Sequence, residues 1–310
     1  MKVRDVTIAA VALSWMLSLS VCRATEEASS TPSELPWLRG AGAAIVDDHG
    51  QPVVLRGCNL GNWLLNELWM MGMTRRGDPK DHWEVEEVLR QRFGPEEKQR
   101  LLELQRENWI KPRDFYTIKS WGFNVVRLPF YYDLLEDDAT PGQLRSDAFK
   151  WLDRAINMAA QAGIYVIVDM HGAPGGQSKD QCTGHIGQDK LWQAEYRKRA
   201  AFLWKSIAEH YRNNPTVAAY DLLNEPYGNY KDEPPDATVV ATMEEFVRAI
   251  REVDSRHMIF CAGTFRGVAI YGPPASHGWE NIGYTEHFYP GLFGGVPSLR
   301  THARFINGEL

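Results

Sequence analysis

The chain has 310 residues, 44% of them hydrophobic and 24% charged, with a formal net charge of −6. This suits one large domain or two small ones around a packed core and excludes global disorder. A mildly acidic chain is also a poor nucleic-acid partner, because phosphates call for clustered Lys and Arg.

At the N-terminus, Lys2 and Arg4 precede an apolar run from Val6 to Val21, interrupted only by Thr7, Ser14, Ser18 and Ser20. Cys22-Arg23-Ala24 then offers small residues at the two positions a signal peptidase reads. Residues 1–24 are therefore expected to be a signal peptide and the protein to be secreted. The alternatives are a membrane anchor, for which the run is short, and lipidation at Cys22, for which Val21 is bulky. Residues 25–37, rich at first in Ser, Thr, Pro and Glu, read as a flexible lead-in to a folded domain over 38–310. Cleavage would leave Cys58, Cys182 and Cys261, an odd and widely spaced set that makes no disulfide framework. Cys58 and Cys261 lie in apolar runs and read as buried thiols. Cys182 and His185 have a ligand-like spacing, but no second cluster accompanies them, so no metal is expected.

Residues 43–60 begin with a hairpin around Asp-Asp-His-Gly, whose second half, Val53–Leu60, continues as a first barrel strand. Five further strand-like runs follow: Asn124–Pro129, Tyr165–His171, Ala218–Glu225, Ile259–Gly263 and Ile282–Tyr289. Several are almost continuously apolar, as parallel strands buried on both faces are. Helical spacing lies between them. Phe149, Leu152, Ile156 and Ala159 follow a Ser146 cap and precede a Gly163 stop; residues 191–212 and 238–254 each carry one apolar face. Strand and helix repeated in this order imply a parallel sheet with right-handed crossovers. Six such strands favour an α/β fold of the (β/α)8 TIM barrel type over a doubly wound sheet, whose Gly-rich phosphate loop is not found at Leu60-Gly61-Asn62-Trp63.

Polar residues stand where these runs end: Arg127, His171, Asn224 with Glu225, and His287 with Tyr289. In a parallel barrel the C-terminal strand ends form the active face. The strongest single signal is Asp221-Leu222-Leu223-Asn224-Glu225-Pro226, an apolar strand that delivers a carboxylate before a proline ends its pairing. Glycosidic cleavage needs one carboxylic acid to protonate the departing oxygen and a second carboxylate near the anomeric carbon. Glu225 suits the acid role, and Asn224 can donate to a sugar 2-hydroxyl. The eleven Trp residues are consistent with flat sugar-binding faces as well as with core packing.

Five motifs, RGCNLGNWL (56–64), GFNVVRLPF (122–130), VDMHGAPGGQ (168–177), YDLLNEP (220–226) and EHFYP (286–290), together resemble glycoside hydrolase family 5, the cellulase-type family of retaining (β/α)8 enzymes. The resemblance implies that Glu225 is the acid/base after the fourth strand. It implies that Arg127 holds the nucleophilic carboxylate, that His171 lines the cleaved sugar's subsite, and that His287 and Tyr289 are the sixth-strand His-x-Tyr. It implies no cofactor and no metal. The expected partner is a β-glucan polysaccharide or oligosaccharide, β-1,4- or β-1,3-linked, with no stable membrane partner and a monomeric state. Loops 64–95 and 172–190 would decide between glucan and mannan. A β-mannanase and a non-catalytic sugar-binding remnant are the alternatives.

The family's nucleophile is a Glu ending the seventh strand, followed by a Trp on the eighth. Gly308-Glu309-Leu310 echoes that motif, but the preceding THARFIN lacks the apolar strand that would deliver it. Glu286 is a weaker candidate, because strand alternation turns it away from His287's face. The expectation is a barrel with strands 1–6 present, strands 7–8 missing and the nucleophile lost with them.

Overall fold

The computed structural model describes residues 34–73, 75–226, 234–264 and 266–287. Its largest element is a six-stranded, wholly parallel sheet in sequential order: β4 (Gly57–Asn59), β5 (Val125–Tyr131), β6 (Tyr165–Gly172), β7 (Val217–Asp221), β8 (Met258–Ala262) and β9 (Ile282–Thr285). Between β4 and β5 run three helices, α1 (His82–Phe93), α2 (Pro95–Trp109) and α3 (Pro112–Ser120). Single crossover helices α4 (Lys150–Ala162), α5 (Ala194–Tyr211) and α6 (Asp236–Arg251) join β5 to β6, β6 to β7 and β7 to β8. This is the strand–helix alternation of a (β/α) barrel, and the six strands expected from the sequence are all in the sheet. None of the helices in the described residues is long and apolar enough to cross a membrane.

The sheet's period of two separates two environments. Val126, Leu128, Phe130, Val166, Val168, Met170, Tyr220, Ile259 and Cys261 point outward into the main core beneath the helices. The alternate set points to the barrel axis. It is apolar at the N-terminal end, where Val125, Tyr165, Ile167, Ala219 and Phe260 cluster, and charged at the C-terminal end, where Arg127, Asp169 and Asp221 lie. One alternating sequence thus builds both a core and a polar rim.

Helix α4 shows how the local sequence sets its element. Trp151, Leu152, Ala155, Ile156 and Ala159 fall on its buried face, and Gly163 ends it at φ 64° with its N–H on the carbonyls of Ala159 and Ala160. An L side chain at that φ is strained, which is why a glycine stops the helix there. The expected Ser146 cap is not used: the helix begins at Lys150 with no side-chain cap. Segment 82–120, read from sequence in part as loop, is instead helical. Asp81 caps α1 by accepting the Glu84 N–H at 2.7 Å, and Pro95 and Pro112 open α2 and α3, where a missing N–H costs nothing.

The N-terminal hairpin is a three-stranded antiparallel sheet, because β1 (Leu38–Ala41) joins β2 (Ala44–Asp47) and β3 (Pro52–Val53). It closes the lower end of the barrel. Leu38 packs with Val125, Tyr165, Ala218 and Met258, and Tyr165 Oη donates to Pro36 O at 2.7 Å. The second half of that hairpin is therefore not one strand with the barrel: β3 ends at Val53 and β4 starts at Gly57, where any Cβ would fall 1.7 Å from Val125 O.

Candidate active site

Two strands end earlier than the sequence suggests. Strand β7 stops at Asp221, and Leu222–Glu225 continue as an irregular segment. Leu222 N–H still reaches Phe260 O at 3.1 Å, and Asn224 N–H reaches Met170 O at 3.4 Å. Glu225 has φ 43°, a left-handed conformation rare for a residue with a Cβ, of the kind that concentrates at functional sites. Strand β9 likewise ends at Thr285, so His287 lies just past it.

At the rim, Arg127 reaches across its neighbours. Its Nε donates to Asp221 Oδ2 at 2.8 Å, its Nη1 lies 3.0 Å from Asp169 Oδ2, and its Nη2 donates to Asn224 Oδ1 at 3.2 Å. The guanidinium therefore serves strands β6 and β7, and its partners among the described residues are Asp169, Asp221 and Asn224. Both acids are almost wholly buried. Burial pushes the Asp221 carboxyl up against the counter-pull of Arg127, while the two acids together keep the guanidinium firmly protonated despite its own burial. Asn224, with its oxygen committed to Arg127, has its amide NH2 left as the donor.

His171 Nδ1 lies 2.6 Å from Asp169 Oδ2, and its Nε2 lies 3.5 Å from Glu67 Oε1. Burial alone would lower the imidazole's pKa, but the charge and hydrogen bond of Asp169, helped by Glu67, raise it to about 9. His171 and Arg127 thus face Asp169 and Asp221 in one buried cluster. Glu67 is itself held below the usual carboxylate range: burial raises it, and His171 more than offsets that, with the Trp69 indole donating to Oε2 at 2.9 Å. Glu225 is gripped at both oxygens, Oε1 by His287 Nδ1 at 2.7 Å and Oε2 by the Cys182 thiol at 3.6 Å. Beneath the site the fully buried Gln177 amide ties strand ends together: Nε2 donates to His171 O (2.7 Å) and Asn224 O (2.8 Å), and Oε1 accepts the Ala173 N–H (3.1 Å).

The structure thus gathers Arg127, His171, Asn224, Glu225 and His287 at one end of the sheet, linked through Asp169, Asp221 and Glu67. Tyr289 and Glu309 lie outside the described residues. Glu286 points away from the rim: its Oε1 accepts the Val268 N–H at 2.6 Å. Cys182 and His185 face different partners, since the His185 ring stacks on Trp83 at 4.5 Å. Cys261 is buried, but Cys58 is only half-buried, on a short strand with one strand neighbour among the described residues. The sequence reading gave no role to Asp169, Asp221, Glu67 and Gln177, and weighed Cys182 only as a metal ligand. Asp169 carried a usable signal, since two residues before His171 it shares that residue's face; Glu67, in an irregular loop, carried none.

One further cluster, His82, Glu86 and Asp133, brings potential ligand atoms within 4.8 Å of one another. It fits a metal poorly. His82 Nδ1 accepts the Asn66 N–H at 3.2 Å, which leaves the ring proton on Nε2, and Lys98 Nζ already neutralises Glu86 at 2.6 Å.

Comparison with known proteins identifies the family and the fold. A β-xylosidase of Phanerodontia chrysosporium is 34% identical over 82% of this chain and 52% of that protein. A probable glucan 1,3-β-glucosidase A of Aspergillus niger is 31% identical over 68% of this chain and 49% of that protein. The chain therefore spans about half the length of the curated relatives it matches. The crystal structure of a rutinosidase from Aspergillus niger superposes with a TM-score of 0.66 at 19% identity, over 78% of this chain and 71% of that one, and so shares the fold. Residues 97–300, which hold every rim residue except Glu67, match the cellulase (glycosyl hydrolase family 5) model, and the chain belongs to that family.

Proposed function

We propose that this protein hydrolyses O-glycosidic bonds of β-glucan by a retaining double displacement, with Glu225 as general acid and then general base. The observation that carries the reading is the grip on Glu225: a carboxyl set at the strand-end rim in a strained backbone conformation, one oxygen 2.7 Å from His287, beside the Arg127–Asp169–Asp221 network. In the first step Glu225 gives its proton to the leaving oxygen while a second carboxylate attacks the anomeric carbon. In the second, Glu225 takes a proton from water, which releases the sugar with its configuration retained. The resemblance assigns the attacking carboxylate to a Glu ending a seventh strand, which the sequence reading does not find in these residues, so the complete reaction is proposed for a protein that carries that Glu. The Asn224 amide donates to the sugar 2-hydroxyl, and His171 and Glu67 present a charged wall to the ring hydroxyls. Arg127, bonded to Asp169, Asp221 and Asn224, positions this frame. The N-terminal apolar run directs the protein out of the cell, where such polymers are met.

The A. niger relative, named as a glucan 1,3-β-glucosidase, supports a β-glucan substrate. The P. chrysosporium relative, named as a β-xylosidase, favours a second reading in which the cleaved sugar is xylose. The test is to assay the protein on laminari- and cello-oligosaccharides and on aryl β-glucoside and β-xyloside. With an aryl glycoside, Glu225→Ala loses turnover by at least about 100-fold, and azide restores it, giving a glycosyl azide of retained configuration. Turnover unaffected by Glu225→Ala refutes the assignment, and a preference for xylosides selects the second reading.

A further inference from the structure

Cys182 sits in a 3-10 turn, Gln181–Thr183, in the loop after β6, and this turn is fastened on both flanks. Thr183 Oγ1 donates to Ser178 O (3.1 Å) and Asp180 O (2.9 Å), and Asp180 Oδ1 accepts the Gln181 N–H at 2.6 Å. On the far side, Gly184 O accepts the Trp83 N–H at 2.9 Å, and the Ile186 N–H reaches Asp81 Oδ2 at 2.8 Å, both at the start of α1. A turn held from so many directions fixes where Sγ points, and it points at Glu225 Oε2, 3.6 Å away. The thiol is buried, and burial together with the nearby carboxylates of Glu225, Asp180 and Glu67 pushes its ionisation far up. Burial and those carboxylates favour the neutral S–H, so in this contact the sulfur donates.

We propose that Cys182 is a positioning residue for the acid/base, its S–H fixing the plane of the Glu225 carboxyl from the side opposite His287. The inference rests on the assignment of Glu225 above. It gives a buried cysteine a role beyond filling space. His287 holds one oxygen of the carboxyl, and a donor from another loop on the second oxygen restricts its rotation about that contact. Because the thiol donates to the carboxylate, it also favours the ionised form.

Two measurements on the full chain test this. In the first, the infrared S–H stretch of Cys182 is isolated as the difference between wild type and Cys182→Ala. A hydrogen-bonded frequency is expected, moving to the free-thiol position in Glu225→Ala and on acid titration of the wild type. A free-thiol band that ignores both changes overturns the proposal. In the second, the pH dependence of kcat/KM on an aryl β-glycoside is compared across variants. In Cys182→Ala the alkaline limb is expected to move up by about 0.3–0.5 pH unit, with kcat lower by about threefold and KM unchanged. Cys182→Ser, which keeps a donor, is expected to restore the wild-type limb. Superimposable profiles for all three proteins overturn the proposal. Activity that survives Glu225→Ala defeats the acid/base assignment while leaving the infrared contact visible, so the two failures are told apart.

Discussion

Arg127 on β5 bonds Asp221 on β7, two strands away, at 2.8 Å, and on the way passes Asp169 on β6 at 3.0 Å. The parallel register makes this span possible: Asp169 pairs with Asp221, while Arg127 pairs with Ile167, two residues short of Asp169, so all three side chains share the axial face and the long arginine side chain bridges the offset. The three charges are desolvated together, and removing one leaves the others uncompensated.

Arg127→Met should therefore destabilise the fold by about 3–5 kcal/mol, the usual cost of stranding buried charge. Arg127→Lys should recover only part of it, because one ammonium cannot serve three acceptors in a fork. Urea unfolding monitored by Trp fluorescence measures both. A loss below about 1 kcal/mol for Arg127→Met would mean that the network is screened by water.

Stability should fall as pH rises through the mildly alkaline range. His171 is raised from 6.5 to about 9, so the folded state holds that proton more tightly than the unfolded chain does. Its contribution is complete below pH 6.5 and is lost as pH climbs toward about 9, with a slope of at most about 1.4 kcal/mol per pH unit from this one group. Glu67→Gln, which removes one of the groups holding the imidazolium, should shift the decline to lower pH. Urea midpoints measured from pH 6 to 10 give the curve, and a flat line in wild type would contradict it.

Gln177→Met should cost about 2–4 kcal/mol. The variant keeps the volume but leaves the carbonyls of His171 and Asn224 and the N–H of Ala173 without the partner they have now. Because those carbonyls belong to two site residues, kcat should fall along with the melting temperature. A variant that loses stability with unchanged kcat would show that the tie does not align the site.

Trp204 extends the same logic into the core. Its indole is fully buried, lies between Phe130 and Tyr220, and donates to Leu222 O at 3.1 Å, three residues before Glu225. Trp204→Phe keeps most of the packing and removes the donor, so it should destabilise by about 1–3 kcal/mol and lower kcat more than it raises KM. Calorimetry and steady-state kinetics separate the two effects.

The sequence by itself determined the strand order, the crossover helices α4 to α6 and five of the rim residues. Each of these is written locally: a period of two or of 3.6, a stop glycine, a polar residue closing an apolar run. Asp169 was written there too, on His171's face, and was missed. The tertiary structure decided which charges meet. Arg127 meets acids on strands 42 and 94 positions away, and only the packing of parallel strands side by side brings them within reach. Glu67 and Cys182 enter the site on irregular loops, whose paths are set by contacts with Trp69, Asn62, Asp81 and Trp83 rather than by any repeat. Periodicity encodes which way a side chain faces within its own element. It carries no information about the neighbour that packing places opposite, and the electrostatics of this rim arise between elements.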